Sequence, residues 1–379
     1  MHQFVHACAG AGKTQSIIDR CVNDEKSTRR LIVTLTLTGQ NELEGRLKEA
    51  CSPARLPDVS GWYSFLIHHC IRPYLPLLFP NAKVMGFSFP PDDSKDKKDR
   101  AKYIRFQRGD STLRYFDSNW CIFQETIENL AFAVMMEAGG LVEARLARIY
   151  DELVIDEAQD ISRKGLDIID LLLNQNALNF YSVGDTRQSL IDSSLFSPRN
   201  KSTDRLELIN WYRSREKSGI LQISELSTTY RSNALISHFS DSIFPPRFSF
   251  SPTRSANKAV TGHDGVFLVL KDDLDAYMKL YSPTPLRGSK ATAKHLSHLG
   301  FENIGQVKGR TFARVLIAAT GPIDNFLKGK EYLVDKSACG FYVGVTRARY
   351  SVAIVPQKPT KPFLQNLLPE VQIWSPMQE

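Results

Sequence analysis

The stretch Ala7-Cys8-Ala9-Gly10-Ala11-Gly12-Lys13-Thr14 decides the fold of this chain. It follows the apolar run Phe4–Ala7 and opens a helical pattern over Lys13–Cys21, which is the strand, loop and helix order of a phosphate-binding loop. Small residues allow backbone N–H groups to approach phosphate oxygens at the positive end of a helix. The stretch therefore predicts a nucleotide-binding α/β domain.

Each position of this loop has an expected role. We assign the phosphate cradle to the four small residues before the lysine, Ala9, Gly10, Ala11 and Gly12. Lys13 is expected to reach the terminal phosphates, and the Thr14 hydroxyl to ligate Mg²⁺. Ala7 stands where the pattern usually has glycine, and an incidental glycine-rich turn is the alternative interpretation.

A second motif follows an apolar strand. The run Leu153–Ile155 leads directly into Asp156 and Glu157. A buried strand tip would hold Asp156 rigidly for Mg²⁺, and Glu157 would orient or deprotonate an attacking water molecule. The alternative is that these carboxylates only cap the N-terminus of a helix.

The chain alternates strand-like and helical patterns in two places, over 1–65 and again over 151–240. Such alternation predicts a parallel sheet with helices on its faces. Residues 66–150 interrupt it, and we interpret them as an inserted subdomain. A Pro- and Ser-rich stretch around Pro245–Pro252 predicts a linker, and the second alternation in 241–379 predicts a smaller α/β domain.

The composition of the 379-residue chain is globular, with 42% hydrophobic and 23% charged residues. No apolar run reaches the roughly 18 residues that a membrane span needs, so we predict no membrane partner. Six scattered cysteines without a CxxC pair suit free thiols in a reducing compartment, which predicts the cytoplasm. The net charge of +7 favours a polyanionic partner, although a solvated charged surface is the alternative.

Four further segments follow these two motifs in a fixed order. They are VGDTRQS at 183–189, TYRS at 229–232, QVKGRTF at 306–312 and YVGVTRAR at 342–349. Together the six resemble the UvrD/PcrA/Rep-like branch of superfamily 1 helicases, in a compact form. The resemblance covers nearly the whole chain. It implies two RecA-like parallel-sheet domains, with the insertion in the first and Mg²⁺-ATP bound between them.

The resemblance also implies catalytic roles. Gln188 would sense the γ-phosphate, and Arg231 and Arg347 would act as arginine fingers that neutralise charge on the transferring phosphoryl group. Arg347 lies in the second domain, so the complete site would form only when the two domains close. A surface salt bridge is the alternative for both arginines.

Further residues would contact the nucleotide. Tyr230 would stack on the adenine, and Lys308 and Gly309 are assigned to nucleotide binding by the same resemblance. Thr311 stands where relatives have an acidic residue that contacts the ribose. We therefore expect weaker selection between bases than in the relatives.

Nucleic-acid binding by base stacking has fewer candidates. Trp62 and Tyr63 match a family segment that contacts nucleic acid, with a place in the core as the alternative. Two other positions where relatives have stacking aromatics are here Leu35 and Ser193. Stacking on an aromatic side chain contributes roughly 1–3 kcal/mol of binding free energy per base, so the loss of these side chains predicts weak binding of single strands.

The leading interpretation is an ATP-driven helicase or translocase that acts on single-stranded or tailed DNA. The alternative is a nucleotide-dependent switch or regulatory subunit of a nuclease-containing complex. The compact size resembles the helicase-like subunit of anti-phage defence systems such as Gabija, and a nuclease or another protein would then be the partner. A degenerate structural remnant is a third interpretation, which the intact set of phosphate-contact residues disfavours.

Overall fold

Two six-stranded sheets, each with all strands parallel, form the framework of the protein. A computed structural model describes residues 2–23, 28–88, 112, 114–174, 178–190, 205–357 and 361–376. Within these ranges, no helix is both long enough and apolar enough to cross a membrane.

The elements are numbered here in chain order. The strands are β1 (His2–Ala7), β2 (Arg30–Thr34), β3 (Asp58–Gly61), β4 (Gly86–Ser88), β5 (Cys121–Phe123), β6 (Glu152–Ile155), β7 (Asn179–Gly184), β8 (Leu221–Leu226), β9 (Thr228–Thr229), β10 (Arg254–Ser255), β11 (Gly265–Val269), β12 (Thr284–Arg287), β13 (Glu302–Asn303), β14 (Phe312–Ala318), β15 (Ala348–Val355) and β16 (Val371–Trp374). The α-helices are α1 (Lys13–Val22), α2 (Leu37–Ala50), α3 (Trp62–Phe65), α4 (Leu75–Leu78), α5 (Ile127–Ala138), α6 (Leu141–Ile149), α7 (Arg163–Asn174), α8 (Leu208–Lys217), α9 (Ala234–Ser242), α10 (Leu274–Tyr281), α11 (Gly321–Leu327), α12 (Asp335–Val345) and α13 (Lys361–Gln365). A π-helix, Leu66–Ile71, continues α3.

The first sheet has the strand order β3-β2-β6-β7-β1-β8. Its inner strands are short apolar runs, and every residue of β2 and β6 is buried. When helices cover both faces of a parallel sheet, neither face meets water, so the sequence of each strand is a nearly continuous apolar run. The carboxyl ends of β1, β6 and β7 therefore meet at one edge of the sheet, where the sequence places the phosphate loop and the acidic pair.

The second sheet has the order β13-β12-β14-β15-β11-β16 and is built from residues 265–374. Segment 306–311 precedes β14, and Arg347 directly precedes β15, so both lie at the amino ends of adjacent strands. The predicted arrangement of two RecA-like domains is confirmed, whereas the boundaries of the individual units stay a prediction.

The insertion between β3 and β6 shares its core with the first domain. Leu130 and Val134 of α5 lie in the same buried cluster as Ile168 and Ile169 of α7. The segment also holds α3, the π-helix Leu66–Ile71, α4, α6 and the pair β4 and β5. The insertion therefore packs onto the first domain and has no separate core among the described residues.

The stretch Pro245–Pro252 is not a linker, and that prediction was wrong. Pro246–Phe248 forms a 3₁₀ turn in which the Phe248 side chain is only 1% exposed. Phe248 stacks on Phe250 with ring centroids 5.8 Å apart, and Phe244 packs edge-on against Tyr342 at 5.1 Å. The prolines shape the turn, while the aromatic residues between them bury enough surface to dock it.

We predict that Phe248→Ala lowers the free energy of unfolding by about 3–5 kcal/mol, because it leaves a cavity under a buried turn. Urea unfolding followed by circular dichroism measures this change. Val260→Ala is the matched control, since Val260 is 88% exposed, and it should shift stability by no more than about 0.5 kcal/mol. A similarly small loss for Phe248→Ala would restore the linker interpretation.

Candidate nucleotide site between the two sheets

The phosphate loop has a backbone shape that requires glycine. Gly10 and Gly12 have φ angles of 76° and 81°, in the left-handed region that other residues rarely adopt. A Cβ atom on Gly10 would lie 2.7 Å from both Arg231 Cβ and Thr229 Oγ1. Gly12 is the N-cap of α1, whose first amide groups have no partner within the helix. The loop therefore has the open, amide-rich form that suits a phosphate.

The structure brings the phosphate-loop lysine to the acidic pair. Lys13 Nζ lies 3.9 Å from Glu157 Oε1, and Asp156 and Glu157 directly follow β6. Glu157 itself has a left-handed backbone, with φ 53°. Such a conformation costs a non-glycine residue roughly 1–3 kcal/mol, and strained residues of this kind cluster at functional sites.

The two carboxyl groups differ in their titration. Burial, followed by the adjacent Glu157 charge, raises the pKa of Asp156 to about 7. Burial alone would raise the pKa of Glu157 as well, but the positive charges of Lys13 and Lys308 outweigh it and hold that pKa below the usual range. Glu157 is therefore charged at neutral pH and able to accept a proton, while the same two lysines offset the burial of Asp156 only in part.

Thr14 and Asp156 are the predicted metal ligands. Thr14 is the second residue of α1, and Asp156 follows β6, which lies two strands from β1 in the sheet. Among the residues that the structure describes, no group of three or more His, Cys, Asp or Glu side chains could hold a metal ion. Mg²⁺ in nucleotide sites needs only one or two protein oxygens, because phosphates and water supply the rest. The donor set thus fits a metal that arrives with a nucleotide.

Gln188 and Arg347 meet across the two domains. Gln188 follows β7, and its Oε1 accepts a hydrogen bond of 3.1 Å from Arg347 Nη2. Arg347 is only 1% exposed, and it also donates to the carbonyl oxygens of Val343 and Arg310. The structure thus brings the predicted γ-phosphate sensor and the predicted second-domain arginine finger into direct contact.

The two predicted arginine fingers donate to neutral oxygens. Within the described part of the chain, neither Arg231 nor Arg347 has a carboxylate within ion-pair distance, and Arg231 Nη1 donates to the Thr346 carbonyl at 3.1 Å. Burial lowers the pKa of both guanidinium groups, and the charge of Arg231 lowers that of Arg347 further. A buried cation is costly unless an anion neutralises it, so these two positions favour a phosphate.

Lys308 enters the acidic cluster from the second domain. Its Nζ lies 3.6 Å from Glu157 Oε2 and forms an ion pair with Asp160. Burial alone would lower the pKa of Lys308, but the two carboxylates raise it above its ordinary value. Gly309 follows with φ 89°. Both predicted residues therefore lie at the cleft, with the lysine already paired to first-domain carboxylates.

Tyr230 lies beside the phosphate loop with its ring open to solvent. Its N–H donates to the Gly10 carbonyl at 3.0 Å, while 69% of the residue is exposed. This geometry anchors the backbone and leaves an aromatic face open to a planar base, as the stacking prediction requires.

Trp62 and Tyr63 have different surroundings. Trp62 is 3% exposed, stacks on Phe65 at 5.7 Å and donates its indole N–H to Glu128 Oε1 at 2.7 Å. Its placement therefore matches the core alternative that the sequence left open. Tyr63 is half-buried. Ser193 lies outside the described residues.

Three polar residues at the cleft were not singled out as site residues from the sequence. They are Asp160, Asp185 and Tyr342. Asp160 pairs with Lys308, and Tyr342 donates to Asp185 Oδ2 at 3.1 Å. All three lie inside or directly beside the motif segments, each within a few residues of an assigned position. The sequence could have indicated them only by their position, because each lies near the end of a strand or helix that carries a motif.

The comparisons with known proteins agree with the motif resemblance. No protein-family model matches the chain. A 147-residue segment, 38% of the chain, is 29% identical to two proteins of Lactococcus lactis subsp. cremoris, the exonuclease/helicase protein RexA of strain MG1363 and an ATP-dependent helicase/nuclease component of strain SK11. The match spans 10% of the length of each relative. The chain is helicase-like in sequence over this segment.

Among solved structures, the chain is similar to the arterivirus nonstructural protein 10 helicase. The free enzyme is 17% identical with a TM-score of 0.47, and the match covers 97% of this chain and 62% of that one. Its complex with DNA is 15% identical with the same TM-score of 0.47, covering 96% and 63%.

We predict that Gly10→Ala weakens nucleotide binding at least roughly tenfold, because the added methyl group displaces Arg231 and places alanine in a left-handed conformation that costs about 1–2 kcal/mol. Titration with a fluorescent ATP analogue measures the affinity. Gly45→Ala is the matched control, since nothing lies within 4 Å of the added Cβ in α2. That variant should bind normally and gain about 0.5–1 kcal/mol of stability. Normal affinity in Gly10→Ala would contradict the assignment of the loop.

Proposed function

We propose that the chain binds Mg²⁺-ATP between its two domains and hydrolyses it to drive a helicase-like motor on single-stranded or tailed DNA. The observation that carries this proposal is a pair of arginines, Arg231 and Arg347, that have no carboxylate partner among the described residues and lie beside a glycine-shaped loop and the charged Glu157. A polyphosphate supplies the anion that these arginines lack.

The first domain would hold the phosphates. Backbone amides of Gly10–Gly12 and the Lys13 ammonium would bind their oxygens, and Thr14 and Asp156 would hold Mg²⁺. Mg²⁺ supplies charge neutralisation on the phosphates when it is bound. Tyr230 would receive the base on its exposed ring. Thr311 on the second domain offers no carboxylate to the ribose, which supports weaker base selection.

The acidic residue would activate water. Glu157 is held in its charged form by Lys13 and Lys308, so its carboxylate can orient a water molecule and take its proton. Gln188 would sense the γ-phosphate through its amide. Arg347 would bring a fixed, planar set of donors to the developing charge from the second domain.

Domain closure would link the chemistry to movement. Lys308, Gly309 and Arg347 lie on the second domain, while the loop and the acidic pair lie on the first. An ATP molecule in the cleft would therefore interact with both domains, and its hydrolysis would remove part of that interaction. Such opening and closing of a cleft is how bound nucleotide drives mechanical work.

The DNA contact would depend mainly on charge. Trp62 is buried, and Leu35 stands at another position where relatives have an aromatic platform. The net charge of +7 remains to attract a polyanion. Tyr63 would add at most a partial stacking surface.

The alternative is a nucleotide-dependent switch or regulatory subunit whose partner is a nuclease, as in an anti-phage defence complex. The burial of Trp62 favours it, because a chain with few base platforms grips a strand poorly. The names of the two Lactococcus lactis relatives combine helicase with nuclease or exonuclease. In this alternative, closure of the same ATP site would be sensed by the partner.

We predict that Lys13→Ala weakens ATP binding by roughly 10–100-fold, since it removes a charge-assisted contact to phosphate. Glu157→Gln should keep ATP binding but lower turnover by about 10²-fold or more, because only proton acceptance is lost. A coupled-enzyme ATPase assay with Mg²⁺, together with nucleotide titration, separates the two effects. Lys48→Ala and Glu49→Gln, both exposed on α2, are the matched controls. Undiminished hydrolysis in both site variants would contradict the proposal.

We predict that single-stranded DNA binds weakly and that its affinity falls steeply between about 50 and 200 mM salt, because charge dominates the contact. Fluorescence anisotropy across a salt series measures binding. ATPase rates with and without DNA, and an unwinding assay on a tailed duplex, test the motor. Salt-tolerant binding with strong unwinding would contradict the weak grip. No binding at low salt, with no effect of DNA on turnover, would favour the switch.

A further inference from the structure

One buried tyrosine of the second domain contacts two motifs of the first. The Tyr342 hydroxyl, on α12, accepts a hydrogen bond from the Ala9 N–H at 3.2 Å and donates to Asp185 Oδ2 at 3.1 Å. Tyr342 is 1% exposed. A single hydroxyl therefore joins the phosphate loop to the segment that carries Gln188.

Asp185 links Tyr342 to two further residues of the first domain, Gln188 and Arg187. Its Oδ2 also accepts from Gln188 Nε2 at 2.8 Å, and its Oδ1 accepts from Arg187 Nε at 3.1 Å and from the Arg187 backbone N–H at 3.2 Å. With its nitrogen held by Asp185, Gln188 directs its oxygen to Arg347. The orientation of the Gln188 amide is thus set by one contact from each domain.

Arg187 holds the tyrosine ring as well. Its guanidinium lies 4.9 Å from the Tyr342 ring centroid and 5.4 Å from that of Phe250, and it forms an ion pair of 3.1 Å with Asp241. Burial raises the pKa of Tyr342 well above its ordinary value, so the hydroxyl keeps its proton and remains a donor.

We propose that Tyr342 is a positioning residue that couples docking of the second domain to the orientation of Gln188 and to the order of the phosphate loop. Tyr342 lies on α12, and Arg347 follows the same helix, so separation of the domains withdraws both together. The Gln188 amide would then keep its hydrogen bond to Asp185 but lose the one from Arg347, and the Ala9 N–H would lose its acceptor. The effect on ATP turnover rests on the proposed function, whereas the effect on local order does not.

Hydrogen exchange of the nucleotide-free chain tests the contact without any activity. Tyr342→Phe removes only the hydroxyl, and we expect roughly tenfold faster exchange in peptides that cover 8–12 and 184–190, as loss of about one hydrogen bond each predicts. Tyr277→Phe is the matched control, because Tyr277 is equally buried in the second domain and its hydroxyl bonds His263 at 2.8 Å, away from the cleft. Unchanged exchange in both peptides of Tyr342→Phe, or an equal change in the control, would overturn the proposal.

A kinetic cycle tests whether Tyr342 acts through Gln188. We expect Tyr342→Phe to lower kcat roughly tenfold with ATP affinity within about threefold of wild type. In a Gln188→Ala background the same substitution should have little further effect on kcat, because its target is gone. Additive losses would overturn coupling through Gln188. A wild-type chain that hydrolyses no ATP would instead contradict the proposed function, and hydrogen exchange would still decide the role of Tyr342.

A second variant covers the case in which Tyr342→Phe is unstable. Asp185→Asn keeps one oxygen for Arg187 and replaces the oxygen that Tyr342 and Gln188 share, so faster exchange is expected in the peptide that covers 184–190. Thermal unfolding of each variant checks that the fold is retained. Unchanged exchange over 184–190 in a folded Asp185→Asn chain would show that the segment carrying Gln188 is ordered without this link.

Discussion

Uncompensated positive charge in a buried cleft is the constraint on which this molecule depends. Arg347 is withdrawn from water and Arg231 is half-buried, and their donors contact only neutral oxygens among the described residues. A cleft built only for stability would supply carboxylates here or replace the arginines with apolar residues of similar volume. The nearby carboxylates Glu157 and Asp160 are instead taken by lysines. Each cation without such a partner among the described residues therefore favours an anion from outside.

Much of the fold was predictable because buried parallel strands must be apolar runs, and helices must separate them. The alternation of the two patterns therefore predicted both parallel sheets, including the second one in 241–379. It missed β12, where Pro285 removes a backbone donor and argues against a strand, although the strand pairs on both sides. It also misread Pro245–Pro252, because turn residues indicate a change of direction but not whether the turn is packed.

The site was predictable as far as its residues belong to local motifs. Lys13, Glu157 and Arg347 carry chemistry that only a few residue types can perform, and the structure brings them to one cleft. Trp62 could not be placed from the sequence, because its burial depends on Glu128, a partner far away in the chain. Tyr342 was missed for the same reason, since its hydroxyl gains a role only when α12 docks on the first domain.

At Glu157, the left-handed backbone creates a trade-off between the stability of the fold and the proposed activity. Glycine or asparagine would adopt this conformation with less strain, so selection for a stable fold alone would remove the glutamate. Its retention marks a place where the chain gives up stability that a substitution could recover. Engineering for thermal resistance would therefore be drawn first to the residue on which the proposed hydrolysis depends, and a screen that scores folding alone would select variants that lack it.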